Sequence, residues 1–310
     1  MANAFLKAET IAATSLGLLE RELVLANLVW NNAGFDFTGA KADTVTVRIP
    51  AQLNAREYEW RNDRSADIVL DELAEDSLTV QLNKDIYSAV AVTDEELSLD
   101  IKEFGGQVLQ PQVKAVAKAI DAGVANMIET ATYSVPAVVV DEKDPFPSFI
   151  DARAALNKNE VPVNGRTLLI GADVETALLK SGRLADVSKS GSDSALRQAE
   201  VGKLAGFNLV TSNAINPRSA YAFVPSAFVL ATRAPAIPSG VTFGSSQSYN
   251  GLSMRWVRDY DAAKLRDRSI VNLYAGFNVM TDPVDAKGTK KLVRAVKLTM
   301  PSTPPAKSDA

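Results

Sequence analysis

Two alternating runs flank a stretch that no core could absorb, and this limits the fold more than any other feature of the chain. Val45, Val47 and Ile49 alternate with Thr44, Thr46 and Arg48, and a second run opens at Leu78, Val80 and Leu82 and continues toward Val92. A period of two puts one face of each run against a core and the other toward water. Pro50 ends the first run. Between the runs, residues 51–76 carry eight acids (Glu57, Glu59, Asp63, Asp67, Asp71, Glu72, Glu75, Asp76) against three bases (Arg56, Arg61, Arg64), with Tyr58 and Trp60 among them. Residues 44–92 are therefore expected to form a long hairpin whose polar tip projects outward.

After the hairpin the period changes. Thr93-Asp94-Glu95-Glu96 fits a capping box, in which the Thr hydroxyl and the Glu carboxylate satisfy amides at a helix start. Beyond Gly105-Gly106, the residues Val113, Val116, Ala117, Ile120, Val124, Met127, Ile128 and Ala131 recur at steps of three and four. That spacing predicts a helix from about Gln107 to Thr130, roughly 35 Å long at 1.5 Å per residue. Pro111 is tolerated only in its first turns. One apolar stripe on so long a helix describes a strut lying on a sheet.

Upstream, Leu6, Ile11, Leu16, Leu19, Leu23 and Leu28 predict one or two amphipathic helices within 4–29, stopped at Asn31-Asn32-Ala33-Gly34. Downstream, Asp144-Pro145-Phe146-Pro147 breaks the chain, and Ser148 with Asp151 is expected to cap a helix reaching about Asn159. A buried strand Thr167–Ile170, a helix Val174–Lys180, a Ser/Gly-rich loop Ser181–Ser194 and a helix around Ala195–Val201 follow. Strands are expected at Phe207–Thr211, 221–231, 252–258, 269–280 and 290–299, and a frayed tail from Pro301.

Composition removes whole classes of function. The chain has 310 residues, enough for two packing units, and neither Cys nor His. Disulfides, thiolate nucleophiles and Cys-based zinc sites are excluded, and the commonest general base and transition-metal ligand are missing. A net charge of −4 offers no global field for nucleic acid. No apolar run approaches the 18 or so residues that span a bilayer. The start Met1-Ala2-Asn3-Ala4-Phe5-Leu6-Lys7 lacks the pattern of a secretory signal, so synthesis and use in a cytoplasm are expected.

Several local strings invite a chemical reading and yield a plain one. Asp141-Glu142-Asp144 offers oxygen ligands without a loop spacing that would gather them, and reads as a solvated turn. Gly240-Val241-Thr242-Phe243-Gly244 has no Lys, and Val201-Gly202-Lys203-Leu204 lacks the leading Gly and following Ser/Thr of a phosphate loop. Asp259, Asp261 and Asp267 among Arg255, Arg258, Lys264, Arg266 and Arg268 read as alternating surface charge for docking a neighbour. Trp60 reads as an interface anchor. No catalytic residue, cofactor or metal is expected.

Taken in order, these parts resemble the major capsid (coat) proteins of tailed double-stranded DNA bacteriophages, the Johnson-fold lineage shared with encapsulin shells and the herpesvirus capsid floor. Gly17-Leu18-Leu19-Glu20-Arg21-Glu22, Asp43-Thr44-Val45-Thr46-Val47-Arg48-Ile49-Pro50 and Phe104-Gly105-Gly106-Gln107-Val108-Leu109-Gln110-Pro111-Gln112-Val113 are similar to strings in coats of the Salmonella podophage and actinobacteriophage type. Val201-Gly202 with Gly206-Phe207 resembles a helix-to-strand turn of the axial domain. No segment resembles the extra insertion domain that some of these coats carry.

The resemblance implies an α+β chain with the phage major capsid (Johnson) fold. Its parts would be an N-terminal arm (1–42), an extended E-loop hairpin with peripheral-domain strands (43–92), the long spine helix of the peripheral domain (93–132), an axial domain (133–250), return strands to the peripheral domain (251–300) and a flexible tail (301–310). It implies pentamers and hexamers of the chain itself in an icosahedral or prolate shell of a virion, assembled in host cytoplasm. Portal and scaffolding or decoration proteins are implied as partners, and packaged DNA as a weak contact without sequence specificity; no membrane is involved. Intersubunit contact is expected at Tyr58, Trp60, Arg61, Arg64 and Asp67 of the tip and at Lys290, Lys291 and Arg294. Some shells of this lineage join a hairpin Lys to a neighbour's Asn, but residues 42–83 contain no Lys, so a noncovalent shell is expected. The alternatives are an encapsulin-like compartment, separated from a virus by what its particles contain, and a cofactor-dependent enzyme without His, separated by monomeric behaviour with a bound small molecule.

Overall fold

The computed structural model describes residues 8–31, 44–49, 55–58, 60–61, 64–65, 67–68, 70, 76–96, 104–181, 202–241, 243–249, 251–283 and 289–301. A first helix, α1 (Ala8–Glu22), leads through a short 3-10 turn to an isolated bridge at Trp30. Strands β1 (Thr44–Ile49) and β2 (Asp76–Gln81) pair antiparallel from Thr44↔Gln81 to Ile49↔Asp76. Strand β3 (Lys84–Thr93) follows β2 without joining that hairpin. The capping box forms: Thr93 N–H donates to Glu96 Oε2 at 2.9 Å, and Glu96 N–H donates to Thr93 Oγ1 at 3.3 Å.

The strut is α2 (Gln110–Thr130), entered through a π-helical turn at Gly105–Leu109 that places Pro111 in the first turn. Val113, Val116, Ala117, Ile120, Val124, Met127 and Ile128 are all buried, as their spacing requires. They lie, with Leu16, Leu19, Leu23 and Leu25 of the preceding segment, against a five-stranded sheet. Its path is β10 (Phe243–Tyr249), β11 (Leu252–Asp261), β12 (Arg266–Val279) and β3, with β9 (Phe228–Arg233) pairing the far half of β12. Beneath the helix, Gln112 donates to Ser88 O (3.1 Å) and Ser269 O (2.8 Å) and accepts from Ser269 Oγ (2.8 Å), while Trp256 Nε1 donates to the same Ser269 Oγ (3.0 Å). A buried polar knot satisfied in this way fixes the register of helix on sheet.

The second sheet has six strands in the order β4 (Val138–Val139), β15 (Ala295–Thr299), β8 (Ser219–Phe223), β5 (Thr167–Ile170), β7 (Phe207–Thr211) and β6 (Lys203–Leu204). Helices α3 (Phe146–Lys158) and α4 (Ala172–Lys180) supply its second core, with Phe149, Leu156, Val174 and Leu178 fully buried. A small pair, β13 (Asp282–Pro283) with β14 (Lys290–Lys291), connects β12 to β15.

Several expectations change. The strand expected over 221–231 is two strands in two sheets, because Pro225–Ala227 form a 3-10 turn that turns β8 into β9. Sheet membership therefore crosses the division drawn at 250: β9 and β10 join the strands of the supposed return segment, and β15 joins the sheet of β5 and β8. The strand expected over 290–299 is interrupted between β14 and β15. Ser148 is not a cap; it sits inside α3 and donates to Val139 O at 3.0 Å, while Asp144 takes the N–H of Phe146. Ala205 (φ 50°) and Gly206 (φ 85°) make a two-residue β6–β7 hairpin turn where a helix-to-strand turn was expected. The helix expected at Ala195–Val201, most of the loop Ser181–Ser194, the tail after Pro301 and, in the hairpin, residues 50–54, 59, 62–63, 66, 69 and 71–75 lie outside the described residues.

Candidate assembly surface

The root of the β1–β2 hairpin is a built joint. Val45 and Val80 face each other across the pair, fully buried, and share a cluster with Val229 and Ala231 of β9 and with Met280. Asn278 Nδ2 donates to Thr79 O at 2.7 Å. A Cβ on Gly276 would stand 2.5 Å from Gln81 O, so only a glycine lets the end of β12 approach the hairpin this closely. Of the alternating positions described in 44–82, Val45 and Val80 are thus fully buried and Leu78 and Leu82 half-buried.

Beyond the root, the described residues other than Tyr58 are exposed. Trp60 and Leu70 are each 84% exposed and Ile68 is 67% exposed. Trp60 and Arg61 lie in a turn, and Arg61 and Arg64 hold φ of 60° and 56°, the left-handed region that non-glycine residues enter only in tight bends. The Arg64 guanidinium lies 5.1 Å from the centroid of the half-buried Tyr58 ring. Asp67 is exposed. Trp60, Arg61, Arg64 and Asp67 are thus exposed in one stretch of chain with the half-buried Tyr58. Ile68 and Leu70 belong with Trp60 and were passed over in the sequence, where the run Ile68-Val69-Leu70 between acids was the available sign.

The basic C-terminal group is smaller than its sequence suggests. Lys290 and Lys291 are exposed on β14, with Lys291 opposite Asp282. Arg294 is already engaged within the chain: its Nε donates to Asp282 Oδ2 at 2.7 Å and its Nη2 to Oδ1, a bidentate pair. Lys297 lies 5.9 Å from the centroid of the Tyr221 ring. The tip is carried by the β1–β2 pair and these lysines by the β13–β14 pair.

The charged stretch 255–268 is also engaged internally. It forms the distal end of the β11–β12 hairpin, where Asp259↔Arg268 and Asp261↔Arg266 are direct cross-strand pairs. Arg268 Nε donates to Asp259 Oδ1 at 3.1 Å, Arg258 Nε to Asp267 Oδ2 at 3.2 Å, and Arg266 lies 3.8 Å from Asp261. The three acids and three of the five bases of this stretch are thus paired across the strands within the chain. Asp141 accepts from Lys143 N–H at 2.9 Å, the turn expected of it. Among the described residues no group of three or more acids could hold a metal ion, and no helix is long and apolar enough to cross a membrane.

Comparison with known proteins points one way. A family model described as phage capsid protein matches residues 77–292. Among solved structures, that of Mycobacterium phage Che8 is similar at 19% identity with a TM-score of 0.63, over 89% of this chain and 90% of that one. The capsid structure of the cyanophage P-SCSP1u is similar at 13% identity and a TM-score of 0.63, over 91% and 89%. The acid-stable capsid structure of Helicobacter pylori bacteriophage KHP30 is similar at 12% identity and a TM-score of 0.56, over 86% and 87%. No curated protein matches the sequence. At these identities the structures speak for the fold, and the family model carries the assignment.

Proposed function

Since the chain belongs to the phage capsid protein family, and is a major capsid protein that builds a shell by self-association, we propose that its copies are held together through the tip of the β1–β2 hairpin. The family match favours the viral shell over an encapsulin-like compartment, and family and fold are those of structural, non-enzymatic proteins. The observation that carries the proposal is the contrast along one hairpin: Val45 and Val80 are fully buried at the root, and Trp60 and Leu70 are each 84% exposed at the tip. Exposed aromatic and aliphatic side chains beyond a buried root are what a neighbour's surface would bury.

In this reading Tyr58, Trp60, Arg61, Arg64 and Asp67 of one copy face Lys290 and Lys291 of the next, with Arg294 holding β13 and β14 in place. Pentamers and hexamers close an icosahedral or prolate shell in the host cytoplasm, and portal and scaffolding or decoration proteins complete it. Packaged DNA touches the shell weakly and without sequence preference, in keeping with a net charge of −4. The subunit performs no catalysis. Deleting residues 51–76 tests the proposal: the variant should remain a soluble, folded subunit and form no shells in negative stain. Normal shells from that variant would sink it.

A further inference from the structure

Two arginines meet on the face of the six-stranded sheet that α3 covers. Leu168 and Ile170 of β5 belong to the core under α3 and α4, so Arg166, two residues before Leu168, enters on the same side. Its backbone is fixed there, because its carbonyl accepts the N–H of Asn208 at 2.9 Å and continues the β5–β7 ladder. Arg153 comes down from α3 onto the adjoining β6–β7 turn. Its Nη1 donates to Ala205 O at 3.2 Å, and its Cζ would stand 3.2 Å from a Cβ on Gly206. Among the described residues, neither guanidinium is paired with a carboxylate.

Arg166 is 2% exposed. Its Nε donates to Pro162 O at 2.9 Å and its Nη2 to Val161 O at 2.6 Å, while Nη1 is buried without a partner. A guanidinium keeps its charge at any ordinary pH, and a buried charge met only by two carbonyl oxygens is costly. Burial, and after it the charge of Arg153, hold the Arg166 guanidinium below its usual value, as expected of like charges brought close with no counter-charge between them.

We propose that Arg153 and Arg166 hold one small oxyanion of the phosphate kind, received by the free Nη1 of Arg166 and by the guanidinium of the half-buried Arg153. Two fixed cations with spare donors call for a negative charge, and donors arriving from two separate elements suit an anion with oxygens on several sides. The ion is a detached one, because a guanidinium that is 2% exposed lies beneath the reach of a duplex's phosphates. Pro162, Val163, Asn164 and Gly165, which lead into Arg166, are exposed, and Gly165 holds a φ of 75° with open space around it. This short loop is where the ion enters, and once bound the ion ties α3 to the start of β5. The site lies within one chain and is independent of the hairpin contact.

Inorganic phosphate titrated calorimetrically into the full-length subunit, against sodium chloride of equal ionic strength, tests the proposal. Binding should saturate at one ion per chain with a dissociation constant of about 1 mM or lower. Arg153→Gln should weaken it at least about tenfold, the loss expected of charge-assisted hydrogen bonds, with circular dichroism unchanged. Lys158→Gln, which removes an exposed cation from the same helix, should leave it as it was. Arg153→Lys keeps the charge and loses the fork; it should fall between the two, and it serves where the Gln variant does not fold. Absence of saturable binding to the unchanged protein, or undiminished binding by a folded Arg153 variant, overturns the proposal. Displacement of the phosphate by duplex DNA overturns it too, since the site would then be an open nucleic-acid contact.

Discussion

The carboxylate of Asp121, midway along α2, receives the backbone N–H of Leu25 at 3.1 Å through Oδ1. The same oxygen takes the N–H of Ala26 at 3.0 Å, and Oδ2 takes that of Val24 at 2.9 Å. Three consecutive amides leading into the 3-10 turn Ala26–Leu28 therefore end on one side chain of the long helix. A helix start leaves its first N–H groups without partners, and here a residue almost a hundred positions away supplies them.

Replacing Asp121 by Ala should destabilise the subunit by about 2 kcal/mol, because amides that lose an acceptor in a partly buried site cost roughly 1–3 kcal/mol. The denaturant midpoint of isolated subunits measures this. Asp121→Asn, which keeps an acceptor oxygen, should lose less. An unchanged midpoint for the Ala variant would show that the turn holds without this carboxylate.

The second prediction concerns Gly276. A methyl group there meets the carbonyl of Gln81, a backbone atom that cannot swing aside. Gly276→Ala should cost about 1–3 kcal/mol as an overpacked site and should loosen the hairpin root. Gly244→Ala, where the nearest atoms lie at 3.4 Å, should be tolerated. Equal thermal stability of the two variants would contradict this account.

Much of this was legible in advance. The capping box at Thr93, the stripe of α2 and the alternation around Val45 and Val80 each depend on neighbours a few residues apart, so the sequence displays them. The division of 221–231 was hidden because both halves are apolar and fully buried, and periodicity cannot tell which sheet a buried strand enters. The engagement of Arg294 by Asp282 and the cross-strand pairing of Asp259 with Arg268 were hidden for a related reason: charge in a sequence shows quantity, and only the register shows partners. The exposure of Ile68 and Leu70 was masked by the acids around them.

The third prediction follows from two phenols, Tyr221 buried and Tyr133 half-buried. Burial pushes the Tyr221 hydroxyl up to about 12, a rise that a hydrogen bond with Ser219 reduces and the charge of Glu129 adds to. Burial pushes Tyr133 higher still, with Tyr221 and Glu129 adding to the effect, and its hydroxyl donates to Ile128 O at 2.6 Å. Both values are raised in the folded chain, so this stability is full below the unfolded phenol value of about 10. It is lost as the pH rises through that value toward the folded ones. Unfolding monitored by tyrosinate absorbance should begin above about pH 10 and be cooperative. A simple titration of all tyrosines near pH 10 with the fold intact would refute it.

The fourth prediction concerns how the shell is held. Exposed charge pairs contribute only about 0–1 kcal/mol each, yet a closed shell repeats them at every contact, so particles should dissociate more readily as salt rises. The span 42–83 contains no Lys to form an amide across subunits. Particles boiled in detergent should therefore run as one band near 33.2 kDa. A ladder of covalent oligomers, or dissociation indifferent to salt, would each refute the corresponding half.

The turn at Pro225–Ala227 has a mechanical meaning. It is one of three places where the chain passes between the five-stranded and six-stranded sheets; the others run from β3 through α2 to β4, and from β12 through β13 and β14 to β15. A force that pulls the two sheets apart is thus borne by three lengths of polypeptide in parallel, one of them a rigid proline bend of three residues. A wall made of such units should yield at the seams between copies before any one copy is torn open.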